Sequence, residues 1–391
     1  MSLANLLLSM SVTMLIPVLP GWLRVTAGMD SVQIGLVMSS FAVGLFLPGA
    51  FCSYLVEQYR RNMVFMFSVL VLAVSMLIPF LHFVSDITYS FVFMLAWRVV
   101  QGAAFGLAQM ILCSTLIIDT CESCQRTEAN HSATWFGRFA LSIGPMLALL
   151  MLKVPGTFCP LRLFDGSMGQ LAALNVFFMA TIFSLAAILL VLFIHFPFRV
   201  PDDRVKLLSL DRFFLTNGMP LMLNMMLVTV AVGMMMSMAI TVHAYGLVML
   251  GFFLALLAQR FVFRDAELKS EVVTGLILLM ASLLIVFSQR DMAPEEHSVL
   301  PSPMIGLGLG IVGARFLLFF IKLSRHCQRG TSQSTFMLGW ESGLALGVGL
   351  GYACFDSRHD LLLLVALGLI ALALLLYVLF THRWFISHKN R

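Results

Sequence analysis

A ten-residue charged hinge, Ser53-Tyr54-Leu55-Val56-Glu57-Gln58-Tyr59-Arg60-Arg61-Asn62, is wedged between two long apolar runs and constrains the chain more than any other stretch. The flanking runs leave no soluble domain to hold so short a polar segment. The hinge therefore has to join two membrane-spanning helices on one side of a bilayer. The bulk composition agrees, because 391 residues that are 60% hydrophobic and 11% charged, with mean hydropathy +0.97, fall in the polytopic membrane class. No large water-soluble domain fits, and the net charge of +5 reports orientation in a membrane rather than a nucleic-acid partner. The first apolar run starts almost at once, with no basic segment before it and no small-residue cleavage site, which reads as a retained helix rather than a signal peptide.

A spanning helix needs about 20 mostly apolar residues, and twelve such runs can be drawn. The first six are Leu3 to Leu19, Val32 to Val56, Met63 to Val84, Ser90 to Ile118, Ser132 to Leu152 and Leu171 to Phe196. The second six are Pro220 to Met238, Tyr245 to Phe263, Val272 to Phe287, Met304 to Leu323, Thr335 to Cys354 and Leu361 to Phe380. Of the 24 lysines and arginines, sixteen lie in loops on the Glu57 side and five on the other. By the positive-inside rule both termini and the hinge are cytoplasmic. The segment from Phe198 to Arg212, with Pro201-Asp202-Asp203-Arg204, is the longest polar stretch on that side. It reads as a linker, residues 198–212, between six-helix bundles at 1–197 and 213–391.

Two echoes support a duplication. Ala255-Leu256-Leu257-Ala258-Gln259-Arg260-Phe261-Val262-Phe263-Arg264 repeats the hinge 202 residues on, and Cys124-Gln125-Arg126 recurs as Cys327-Gln328-Arg329 after 203. Parallel repeats are one way secondary transporters are built. The hinge itself resembles the loop between helices 2 and 3 of the major facilitator superfamily, Gly-x-Leu-Ala-Asp-Arg-x-Gly-Arg-Arg. Leu55 and Arg61 match and Glu57 replaces the acid, while Ser53, Gln58, Arg60 and Asn62 depart from the pattern. Arg98-Val99-Val100-Gln101-Gly102 resembles the family's helix 4 signature Arg-x-x-Gln-Gly. Gly144-Pro145 resembles the core of its helix 5 antiporter motif, with Leu147 and Ala148 where further glycines stand in the family. The exit of the first helix, Pro17-Val18-Leu19-Pro20, is similar to that of efflux members, and proline there sets a bend. The resemblance implies an all-α membrane protein of twelve helices in two pseudo-symmetric bundles, rocking about a midplane site.

Four ionisable residues fall inside the runs: Arg98, Arg138, Arg315 and Glu341. A charge at the bilayer centre costs about 2.5 kcal/mol or more and survives mainly beside a cavity or a partner. Arg98 and Arg315 lie near mid-helix, in helices 4 and 10, which line the cavity in the resembled family. They either face the substrate path or tie neighbouring helices through buried carbonyls. Arg138 and Glu341 occupy matching places at the 203-residue offset, on helices 5 and 11, which are not expected to touch. Glu341 lies opposite a stripe of Gly339, Gly343, Gly347 and Gly351, where a neighbouring helix should pack, so it points to the cavity or the interface between halves. It reads as a proton carrier or as one member of a permanent ion pair. Three arginines against one carboxylate favour an anionic or zwitterionic substrate. Gln101, Gln109, Asn175 and Asn224 offer hydrogen bonds or simple helix contacts.

A further group, Glu57, Arg61 and Asp119, sits at the hinge surface. The resemblance implies that Glu57 meets the start of helix 11 around Thr331 to Ser334 and that Arg61 pairs with Asp119, gating the cytoplasmic side. The alternative is an ordinary solvated ion pair. Cys121-Glu122-Ser123-Cys124, with His131 and His326-Cys327, has metal-like spacing without an assembled ligand set, so no metal is expected. Cys52, Cys113 and Cys354 read as packing residues. Gly306-x-Gly308-x-Gly310 lies in an apolar helix and is helix packing, not a dinucleotide loop. No P-loop and no nucleophile beside a base can be found, so no cofactor and no enzymatic activity are expected. The 27 methionines fill gaps or form an adaptable wall.

These features together read as a monomeric, multi-pass secondary transporter of the bacterial inner membrane. Its partners are the bilayer, protons and a small solute, with efflux of an amphipathic or anionic compound ahead of uptake of a nutrient anion. Lipid or lysolipid flipping and a non-transporting receptor or scaffold remain open alternatives.

Overall fold

The computed structural model describes residues 1–81, 89–121, 125–153, 168–194, 206–263, 266–292, 297–325 and 328–390. Twelve crossings are traced by helices. They are α1, in two pieces (Ser2–Thr13 and Leu19–Thr26), and α2, also in two (Ser31–Phe46 and Gly49–Gln58), followed by α3 (Arg61–Ser75), α4 (Phe91–Ile111), α5 (Arg126–Lys153) and α6 (Met168–Leu192). The second set is α7 (Met219–Met236), α8 (Val242–Phe261), α9 (Leu268–Ser288), α10 (Pro301–Leu323), α11 (Arg329–Phe355) and α12 (His359–Leu376). Two of these are extended by π-helical turns, Leu112–Leu116 after α4 and Tyr377–Thr381 after α12, each followed by a further helical piece.

Local chemistry explains most boundaries. Gly28, at φ +64°, turns the chain after α1, and Asp30 then caps α2 in a reciprocal box with Gln33. Ser90 and Thr241 cap α4 and α8. Turns at residues 14–18 interrupt α1 just ahead of Pro20, and α2 is bent by 44° where Leu47 and Pro48 interrupt it. Several runs are longer than their apolar content indicated. α5 starts at Arg126 rather than Ser132 and α11 at Arg329 rather than Thr335, because polar Asn130, Thr331 and Gln333 are buried in protein rather than facing lipid. The last crossing continues beyond Phe380 to His388.

The same packing scheme appears in both halves. α1 packs on α5 and α6, α2 on α4, and α3 on α4 and α6; six helices later, α7 packs on α11 and α12, α8 on α10, and α9 on α10 and α12. Matching glycines make matching crossings. A methyl at Gly44 would land 2.2 Å from the Val99 carbonyl, with Gly102 alongside, and one at Gly251 lands 2.2 Å from the Pro303 carbonyl, with Gly306 alongside. The halves meet where α2 lies on α11 and α5 on α8. Outward faces carry exposed Phe67, Val92, Phe253 and Leu379, the arrangement a bilayer solvent requires. Cys52 and Cys113 are buried, but Cys354 is exposed, so only the first two are packing residues.

Candidate functional site

α5 is held to α1 along one face. Asn5 donates to the Ala133 carbonyl (2.8 Å) and Thr13 to that of Ala140 (2.9 Å), with Gly137 and Gly144 letting those side chains close in. A different face of α5 therefore carries Trp135 and Arg138, three residues apart, toward the other half. α11 supplies Phe336 and Trp340, four apart and on one side of the helix. The result is an aromatic box. The Arg138 guanidinium carbon lies 4.8 Å from the Trp135 ring centroid, 5.6 Å from Trp340 and 5.9 Å from Phe336, within cation–π range.

Helix 10 makes room for the box. A methyl at Gly313 would fall 2.7 Å from the Trp340 ring and 3.0 Å from Arg138 Nε, and one at Gly310 would fall 3.3 Å from Trp135. The glycine run of this helix thus does more than pack helices: Gly306 and Gly308 receive α8 and α9, while Gly310 and Gly313 admit the box. Arg138 is fully buried, and among the described residues its Nε, Nη1 and Nη2 have no hydrogen-bond partner. α5 and α11 do meet, against the expectation from sequence. Beside the box Gln333 Nε2 donates to Thr134 Oγ1 at 2.8 Å, because the elongated polar ends of both helices bring these side chains together.

The other charges are distributed around this centre. Glu341 is half-buried and turns toward α4, beside Gln109 and Cys113. Opposite it, Gly339, Gly343, Gly347 and Gly351 all pack on α7, as the stripe indicated. Arg315 is ion-paired through Nε with Glu271, which is buried on α9. Glu271 was missed because it stands one residue outside the apolar run beginning at Val272. His131, a turn before Trp135, lies within electrostatic reach of both Arg138 and Arg315. Arg98 is buried within the first half. Its Nη1 donates to Gln101 Oε1 at 2.7 Å, its guanidinium lies 4.5 Å from the Phe41 ring, and Gln101 in turn reaches the Met76 sulfur at 3.3 Å. Asn224 donates to the Ala373 carbonyl at 3.0 Å, tying α7 to α12, and Asn175 is buried on α6.

At the hinge, Glu57 is bound by Arg212, with Arg61 at 3.6 Å. Arg212 has a positive φ of 58°, and its N–H donates to Thr331 Oγ1 at 2.9 Å. Glu57 therefore reaches α11 through a linker arginine instead of meeting the helix terminus directly, since Thr331 to Ser334 are already inside the longer α11. The Asp119 side chain lies outside the described residues, as do positions 122–124, 326–327 and 198–205 of the metal-like segment and the linker. Among the described residues no group of three His, Cys, Asp or Glu is placed to hold a metal ion.

The arrangement can bind an anion against Arg138 at the junction of the two halves, with aromatic faces around it. No curated protein matches the chain in sequence. Its fold is similar to the inward-open xylose transporter XylE from E. coli (TM-score 0.73, 12% identity, covering 97% of this chain and 94% of that one). It is also similar to a bacterial homologue of the human lysosomal transporter Spinster (0.68, 14%, 100% and 97%) and to the human organic anion transporter MFSD10 (0.66, 18%, 96% and 97%). The model of the Major Facilitator Superfamily matches residues 1–348, and the chain, a multi-pass membrane protein, belongs to that superfamily of secondary transporters.

Proposed function

We infer that the protein moves a small organic anion by alternating access, with the anion seated on Arg138 inside the box of Trp135, Phe336 and Trp340. The observation that carries this is the buried guanidinium whose three nitrogens have no partner. A desolvated, unanswered cation is costly, and a carboxylate, phosphate or sulfonate entering the box would satisfy its planar donors. Arg138 and Trp135 come from the first half, Phe336 and Trp340 from the second, so an anion between them couples the positions of both. Transport is proton-coupled, with Glu341 as the exchanging carboxylate. It faces α4 across the interface and is neither salt-bridged like Glu271 nor fully buried. Both termini are cytoplasmic in the inner membrane, the protein acts as a monomer, and export in exchange for protons follows from the efflux-like Pro17 to Pro20 exit and Gly144-Pro145.

Proteoliposomes with an internal pH dye test the reading. A panel of aromatic and aliphatic carboxylates is expected to drive proton movement in the wild type, and Arg138→Met to abolish it. Glu341→Gln is expected to retain anion exchange while losing the response to a pH gradient. Wild-type flux in Arg138→Met would end the proposal.

A further inference from the structure

A cavity of about 640 Å³ opens on the face opposite the termini, inside the second half of the molecule. Residues 238–241, 289–290, 297–298 and 357–358 and the first turns of α8, α10 and α12 surround it, and among the described residues Leu141 of α5 is the one lining residue from the first six helices. Its size lies in the range of small-molecule sites, about 300–1,000 Å³. The floor is apolar, with Met235, Met236, Val248, Ile305 and Leu309; flexible thioethers fit varied hydrocarbon shapes. Among the described residues the rim is polar and carries Arg290, Arg358, His297 and His359, with Asp360 as its carboxylate. Arg290 is already engaged, 4.5 Å above the Phe287 ring and 3.1 Å from Asp291. Arg358 is exposed at the cavity edge.

The cavity is also aligned with the box. Leu141 follows Arg138 on α5 by three residues, and Leu309 precedes Gly313 on α10 by four. The floor therefore stands about one helical turn, ~5.4 Å of rise, from the Arg138 layer. It is nevertheless a separate space, since no residue of the box lines it.

We propose that this cavity is a second binding site, for an amphipathic organic anion, with the hydrocarbon body on the methionine floor and the acid group at the Arg358 rim. It serves as an outer station on the route to Arg138, a role that rests on the function proposed above; the binding site itself does not. The same chemistry is offered by a soluble alkyl carboxylate and by an anionic lysolipid from the adjacent leaflet.

Equilibrium binding of radiolabelled hexanoate, octanoate and decanoate to the full-length protein in nanodiscs of zwitterionic lipid, with empty discs subtracted, tests it. Two saturable sites are expected. Ile305→Trp, which fills the cavity, should remove one and leave the Arg138-dependent one. At the site it removes, affinity should rise about fourfold per added methylene, the increment for burying a CH₂. Arg358→Glu, on an exposed side chain, should weaken that site about threefold and carries the test if Ile305→Trp does not fold. Displacement of octanoate from this site by an anionic lysophospholipid identifies the membrane as the source of ligand; failure to displace identifies solution. A single site unaffected by Ile305→Trp or Arg358→Glu, or no saturable binding of any probe, overturns the proposal. Two sites untouched by Arg138→Met, one of them lost in Ile305→Trp, would leave the cavity standing and remove the anion from the box.

Discussion

Arg138 and Arg315 are both arginines inside spanning helices, yet their surroundings differ in kind. Arg315 is answered by the carboxylate of Glu271; Arg138 has three aromatic rings and no acceptor. Low dielectric makes either charge expensive, but a paired charge recovers much of that cost from its partner. In the function proposed above, Arg315 is complete without substrate and ties α9 to α10, and Arg138 is completed by the transported anion. The comparison teaches that an arginine's depth in a helix says little about its role, whereas the state of its donors says a great deal.

The largest expected effect breaks the completed pair. Glu271→Gln leaves Arg315, whose side chain is only 17% exposed, unanswered, which should cost about 3 kcal/mol, the lower end for breaking a buried pair, and lower the melting temperature of the purified protein sharply. Adding Arg315→Met in the same chain should restore most of it. A single variant that melts like the wild type would show that water already screens the pair. Arg138→Met should do the reverse. Removing an unanswered cation leaves thermal stability unchanged or raised, while anion affinity falls at least about 30-fold, the lower end for truncating a buried charged partner. Loss of folding in Arg138→Met would mean that the aromatic box, not a ligand, is what satisfies the guanidinium.

A smaller effect follows from the space beneath the box. In Gly313→Ala the new methyl meets Trp340 at 2.7 Å and Arg138 Nε at 3.0 Å, so overpacking of about 1–3 kcal/mol is expected, with weaker anion binding. Gly368→Ala on α12, where nothing lies within 4 Å, is the control and should be neutral or slightly stabilising by helix propensity. Equal melting of the two would place the box farther from α10 than its geometry indicates.

Much of this was legible in the sequence, and the remainder has physical reasons. Twelve apolar runs and the echoed hinge carried the architecture, because a bilayer admits few alternatives. The glycine stripe opposite Glu341 marked a close helix contact from helical periodicity alone, and the neighbour is α7. The ends of α5 and α11 were underestimated since Asn130, Thr331 and Gln333 are polar yet buried in protein, and Gln333 donates to Thr134 across the halves, a contact that hydropathy cannot register. The box was half visible: Trp135 with Arg138, and Phe336 with Trp340, each share a helix face by spacing, but nothing local says that the two faces meet. Glu271 was lost at a run's edge, where an acid normally marks the membrane surface. Arg98 shows that a motif position and its contacts are separate questions, for it meets Phe41 of α2 and Gln101 of α4.

The smallest effect completes the series from unanswered to answered to solvated charge. On the face opposite the termini, Arg24 pairs with Asp356 at 2.8 Å, and Ser31 donates to the same carboxylate at 2.6 Å, joining α1 and α2 to the end of α11. The side chains are 51% and 31% exposed, so water competes for both charges and the pair is worth at most about 1 kcal/mol. Asp356→Asn should therefore leave the melting temperature nearly unchanged. Because the contact spans the two halves, the same energy should favour opening of that face by no more than about fivefold, read as faster labelling of a cysteine placed at Ser39, with background thiols removed. The effect should fade with salt, as exposed pairs do. A collapse in stability comparable to that of Glu271→Gln would mean that exposure does not grade the cost of these charges, and the distinction between Arg138 and Arg315 would lose its physical basis.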